Sequence, residues 1–98
     1  MIIVTGSLVA RDGRLAEALA LSLAHVRRSR LENGCLSHAV HQDAENSSRL
    51  VFLEEWADQA ALAAHFAAPA SRAFARAITA MAVEAPVLKV FEVTGAGG

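Results

Sequence analysis

The sequence predicts an α+β domain built in the order β-α-β-β-α-β. Three observations predict it. Apolar runs rich in strand-forming residues stand near 2–10, 35–42, 49–56 and 87–93. Between the first and second runs, and between the third and fourth, apolar residues recur at helical spacing. The second and third runs are separated only by a polar, turn-rich stretch, Asp43 to Ser48, which reads as a hairpin loop.

The first strand, Ile2 to Ala10, is apolar on both faces, as a strand covered on both sides would be. Gly6 in its middle signals either a bulge, a close approach to the backbone, or simple tolerance. Arg11-Asp12-Gly13-Arg14 is a turn with Asp12 as candidate N-cap. A long helix from about Arg14 to Leu31 follows, with Leu15, Ala18, Leu19, Ser22, Leu23 and Val26 as its inward stripe, and Asn33-Gly34 closes it. In the second strand, Leu36, His38 and Val40 share one face, while Cys35, Ser37, Ala39 and His41 share the other. In the third, Leu50, Phe52, Glu54 and Trp56 alternate onto one face, and Asp58 stands where a helix N-cap belongs.

The next helix spans about Gln59 to Ala67, with Leu62, His65 and Phe66 on one face. Pro69 interrupts it, and a further helix from about Ser71 to Val83 carries Phe74, Ile78, Met81 and Ala85, with Pro86 as its stop. Val87 to Val93 is the last strand, so a domain at 1–94 is followed by a tail at 95–98 expected to be frayed. This is the split βαβ, ferredoxin-like arrangement: a four-stranded antiparallel sheet with its helices on one face. The open face is apolar enough to need a cover, which a second copy of the same sheet would supply by symmetry.

Composition narrows the function. Nine basic residues against ten acidic ones give a net charge of −1, which leaves no excess to neutralise phosphates and argues against nucleic acid. A single Cys suits a reducing compartment. The first residues lack a basic targeting region, and no apolar run approaches the roughly 20 residues that span a bilayer. A cytoplasmic protein without membrane contact is the expectation. No Gly-rich loop joins a strand to a helix, and no His, Cys, Asp or Glu cluster has metal-ligand spacing along the chain.

Glu32-Asn33-Gly34-Cys35-Leu36, Val40, Asp43, Phe52, Glu54-Glu55-Trp56, Asp58 and Ala64-His65 together resemble the antibiotic biosynthesis monooxygenase family of dimeric α+β barrel proteins. The resemblance runs from the first strand to Phe91. It implies a homodimer with its two sheets face to face and a pocket in each subunit between sheet and helices. Relatives are diverse: some oxidise quinol or polyketide aromatics with molecular oxygen without metal, flavin or other cofactor, others degrade haem, and some act on small signalling molecules without oxidising them; in the oxygen-using ones the pocket Trp, here Trp56, would hold the substrate. Two positions depart from the family pattern: His38 stands where many relatives carry Tyr, and Ala70 where many carry a second His. The first strand lacks the Asn that haem-degrading relatives need.

The expected catalytic residues are therefore His38, His65 and Trp56. His38 or His65 would take a phenolic proton, and Trp56 would position the ring. Leu36, Phe52, Glu54, Leu62, Phe66 and Phe74 would line the substrate site. Each has a plainer reading. Trp56 is equally suited to capping the core, and an inward His is commonly a hydrogen-bonded structural residue. Glu54, on an inward face, needs a partner and could orient His38 or His65. Glu55 would bridge the dimer to an Arg such as Arg49, and His25 is read as a surface residue. The rival functions are a non-oxidative isomerase or degradative enzyme for a small polar metabolite, which a more charged pocket would favour, and a non-catalytic ligand-binding dimer.

Overall fold

The structure is a computed structural model that describes residues 1–94; the expected tail at 95–98 lies outside the described residues. Its elements are β1 (Ile2–Val9), α1 (Leu15–Ser29), β2 (Cys35–Gln42), β3 (Arg49–Trp56), α2 (Gln59–Ala67), α3 (Pro69–Met81) and β4 (Val87–Glu92). The strands form one antiparallel sheet in the order β2-β3-β1-β4. This is the ferredoxin-like α+β fold that the element order predicts.

Register explains which residues face the helices. Ile2, Val4, Gly6 and Leu8 pair with Trp56, Glu54, Phe52 and Leu50, so all eight share one face. The side chains among them are buried, as are Ala18 and Val26 of α1 and Ile78 and Met81 of α3 above them. The core has two parts. The larger gathers Leu8, Leu50, Phe52 and Ile78 under α1 and α3; the smaller gathers Ile2, Val4, Trp56 and Leu62 under α2. Trp56 is fully buried, which at about 25 cal/mol per Å² contributes roughly 4–6 kcal/mol relative to exposure. Asp58 caps α2 as expected, its carboxylate accepting from Ala61 N at 2.8 Å.

Several local expectations are corrected. Residue 14, not Asp12, precedes α1, and no side chain caps it. Gly6 sits in regular register with Phe52 and Leu88, without a bulge. The bulge lies instead at Leu36, where pairing shifts between Cys35 and Ser37. That extra residue breaks the alternation: Cys35 packs against the smaller core cluster, and Leu36 is 58% exposed. Pro69 opens α3 rather than merely ending α2, because Pro at the first helical position needs no N–H partner. The helix stops at Met81, so Ala85 is exposed and outside the stripe.

The opposite sheet face carries Ile3, Thr5, Leu53, Glu55 and Phe91 in register. Leu53 and Phe91 are about half exposed, at 47% and 49%. Within the chain, Glu55 accepts from the Ser37 hydroxyl at 2.6 Å and Arg49 binds Asp43 at 2.9 Å. No helix among the described residues is long and apolar enough to cross a membrane.

Candidate functional site

A cavity of about 290 Å³ lies between the sheet and α3, at the small end of the usual range for ligand sites. Its floor is Gly6 and Leu8 of β1, Phe52 and Glu54 of β3, and Leu88 of β4. Its roof is Phe74, Ala75 and Ile78 of α3, and its inner end is formed by His25, His65, Phe66 and Ser71. Gly6 matters here because a side chain at that position would enter the floor beside Leu88 and Phe52. Apolar groups dominate the walls, and the ionisable ones gather at the inner end, apart from Arg72.

Three imidazoles meet at that inner end, from α1 (His25), β2 (His38) and α2 (His65). Their ring centroids are 5.3, 5.3 and 5.6 Å apart, and the residues are 5%, 1% and 3% exposed. His25 is not on the surface as its sequence context predicts. It stacks flat on Phe74 at 4.0 Å, on the buried side of α1 with Ala18, Ser22, Val26 and Ser29. Burial, then the positive charge of His38, His65 and Arg28, pushes its pKa down to about 3, with Glu54 opposing.

Each ring has a different charged neighbour, and for His65 and His25 a hydrogen bond to that neighbour sets the tautomer. The Glu32 carboxylate accepts from His65 Nδ1 at 2.8 and 3.0 Å, which leaves Nε2 as a lone-pair acceptor. His38 Nε2 lies 3.2 Å from Glu54 Oε1, an ion-pair distance with alignment too poor for a hydrogen bond. Glu54 Oε1 also accepts from the Trp56 indole at 3.0 Å. Burial alone would raise the Glu54 pKa, but the contact with His38 and the indole N–H outweigh it and hold the carboxyl below its ordinary range. Arg28 donates to His25 Nδ1 at 2.8 Å.

Of the residues singled out from the sequence, Phe52, Glu54, His65, Phe66 and Phe74 line the cavity. His38 and Trp56 lie outside its lining, behind Glu54, with their ring centroids 6.2 Å apart. Leu62 is buried in the cluster around Trp56, and Leu36 is turned outward by its bulge. Sequence reasoning missed two residues. Glu32, named from the sequence only within the family-like segment Glu32 to Leu36, supplies the carboxylate on His65 from 33 positions away. His25 had one usable signal: it falls three residues after Ser22 on the inward stripe.

The fold and cavity define a small α+β domain with a ligand-sized pocket between its sheet and helices. A family model described as antibiotic biosynthesis monooxygenase matches residues 1–77, and the chain belongs to that family. It is 27% identical over 92 residues to an uncharacterized protein of Synechocystis sp.; the match covers 94% of this chain but only 63% of that protein. Among solved structures, it superimposes on a candidate antibiotic biosynthesis monooxygenase from Deinococcus radiodurans with a TM-score of 0.93 and 24% identity, covering 100% of this chain and 97% of the other. It superimposes on a Pseudomonas aeruginosa protein with a TM-score of 0.85 and 26% identity, covering 96% and 94%.

Proposed function

We propose that the chain is a monooxygenase that oxidises a small electron-rich aromatic, a quinol or polyketide phenol, with molecular oxygen and without cofactor, working as a homodimer through its open sheet face. The observation that carries the reading is His65: a cavity-lining imidazole whose Nδ1 is tied to Glu32, so that Nε2 is a base beside flat apolar walls. Phe52 and Phe74 stand edge to face, 6.1 Å apart, and offer planar surfaces to an aromatic ring.

In this mechanism His65 Nε2 takes a phenolic proton, and Glu32 stabilises the imidazolium that forms. The phenolate passes one electron to oxygen, and the radical pair recombines at a ring carbon that bears hydrogen, ortho or para to the phenolic oxygen, as a peroxide that takes the proton back from His65. Loss of water leaves a quinone, with one oxygen atom in product and one in water. The apolar walls exclude bulk water from the phenolate. Trp56, buried and bonded to Glu54, acts by holding that carboxylate, not by stacking on substrate. His38 acts through the same carboxylate. The apolar lining favours this substrate class over a polar metabolite.

Oxygen uptake with a panel of quinols and naphthols tests the reading. At least one substrate should consume oxygen above background, with His65→Gln lowering the rate by about 10²–10⁴-fold, the usual worth of a general base. A broad panel without uptake would defeat it.

A further inference from the structure

The geometry points to a divalent transition-metal site formed by His25, His38 and His65. One ring nitrogen of each lies within 4.8 Å of those of the other two. The three residues come from three elements, and each is at least 95% buried. Burying three imidazoles together is costly unless their nitrogens are satisfied. Yet no hydrogen bond joins any two of them among the described residues, and His38 Nδ1 is buried without a partner.

The surroundings match what a metal would require. A metal-bound His commonly offers its other nitrogen to a carboxylate, which fixes the tautomer and raises ligand basicity. One of the three rings already has that arrangement, with Glu32 on His65 Nδ1; a second carboxylate, Glu54, lies 3.2 Å from His38 Nε2, close enough to complete it once the ring turns. The lone pairs left over are His65 Nε2 and His38 Nδ1. An all-imidazole set selects zinc, copper, nickel or cobalt over calcium or magnesium. Both His25 and His65 touch the cavity, which gives an ion its route in and an open fourth position for water or ligand.

Closing the site requires two adjustments. Metal–nitrogen bonds of about 2.0–2.1 Å put tetrahedral ligand atoms about 3.3 Å apart, so the rings must swing inward by up to about 1.5 Å. The second concerns His25. Arg28 donates to its Nδ1, which leaves Nε2 as the ligand atom and requires the ring proton to sit on Nδ1 when metal binds. Arg28 must therefore turn aside; its other bond, to Ala70 O, is long at 3.4 Å. Arg28 thus opposes metal binding, a consequence that a merely structural histidine cluster would not have.

The test is titration of the tag-free protein with Co²⁺, followed by visible absorption, with Zn²⁺ competition measured by calorimetry. One equivalent per chain should bind, with the intense bands of a low-coordinate site. His25→Phe, which keeps the stack on Phe74, should weaken binding at least tenfold, and His41→Ala, an exposed histidine outside the cluster, should leave it unchanged. Arg28→Gln should tighten binding several-fold, because its amide oxygen can accept from Nδ1–H. An aqueous Co²⁺ spectrum in the presence of equimolar protein overturns the proposal. So does binding that is unaffected by His25→Phe, or that is weaker in Arg28→Gln. The outcome is separate from that of the oxidation assay, since metal binding is read without substrate. If both hold, Zn²⁺ should suppress oxygen uptake, because His65 Nε2 cannot serve as ligand and base together.

Discussion

Burial of His25 makes the fold sensitive to mild acid by an amount that the structure sets. Its folded-state pKa is about 3 against an ordinary value of 6.5. As pH falls through 6.5, the unfolded chain takes up a proton that the folded chain refuses until about 3. The stabilising contribution is therefore complete above 6.5 and is lost between 6.5 and 3. The groups facing the ring are His38, His65, Arg28 and Glu54; only the last favours its charged form. Full linkage at pH 4 would amount to about 3.4 kcal/mol, and partial hydration through the cavity reduces this to roughly 2–3 kcal/mol. That is a large share of the roughly 5–15 kcal/mol typical of a domain. The assay is urea unfolding of wild type and His25→Phe at pH 7 and pH 4. Acid losses from Glu54 and Asp43, whose carboxyls are also held low, are common to both proteins. The fall in unfolding free energy from pH 7 to pH 4 should be smaller in the variant by roughly 2–3 kcal/mol, with similar denaturant slopes. Equal falls in the two proteins would refute the claim that His25 is held neutral by its surroundings.

Three further outcomes are expected. Glu32→Gln keeps a hydrogen bond to His65 but removes the charge, so kcat/KM for oxygen uptake should fall by about tenfold to a hundredfold, in line with roughly 1.5–3 kcal/mol for a hydrogen bond to a charged group; an unchanged value would remove Glu32 from the mechanism. Gly34→Ala should cost at least about 2 kcal/mol by thermal or urea unfolding, because residue 34 has φ +83° and an added Cβ would meet Ala61 Cβ at 2.5 Å. Leu53→Glu places a charge at the centre of the open sheet face and should shift light scattering from dimer to monomer mass. A wild-type chain that is already monomeric would end the homodimer proposal.

Much of the fold was legible because the signals that carry it are local. Alternation along β3 placed Phe52, Glu54 and Trp56 on one face, and pairing with β1 keeps them there. Asp58 marked the start of α2 by chemistry that needs only the next three residues. The site was legible in part. Parity put His38 and Trp56 on the pocket side of the sheet but could not show that Glu54 stands between them and the cavity. It misplaced Leu36, because one bulged residue reverses alternation and leaves little compositional trace.

From the sequence alone came the element order, the buried faces and the family likeness, since period-2 and period-3.6 patterns follow from backbone geometry within each segment. Only the tertiary structure decided that His25, His38 and His65 meet. They lie on three elements, 13 and 27 residues apart in sequence, with no local spacing linking them. Their proximity depends on how α1 and α2 settle across β2 and β3, and side-chain packing between elements sets that.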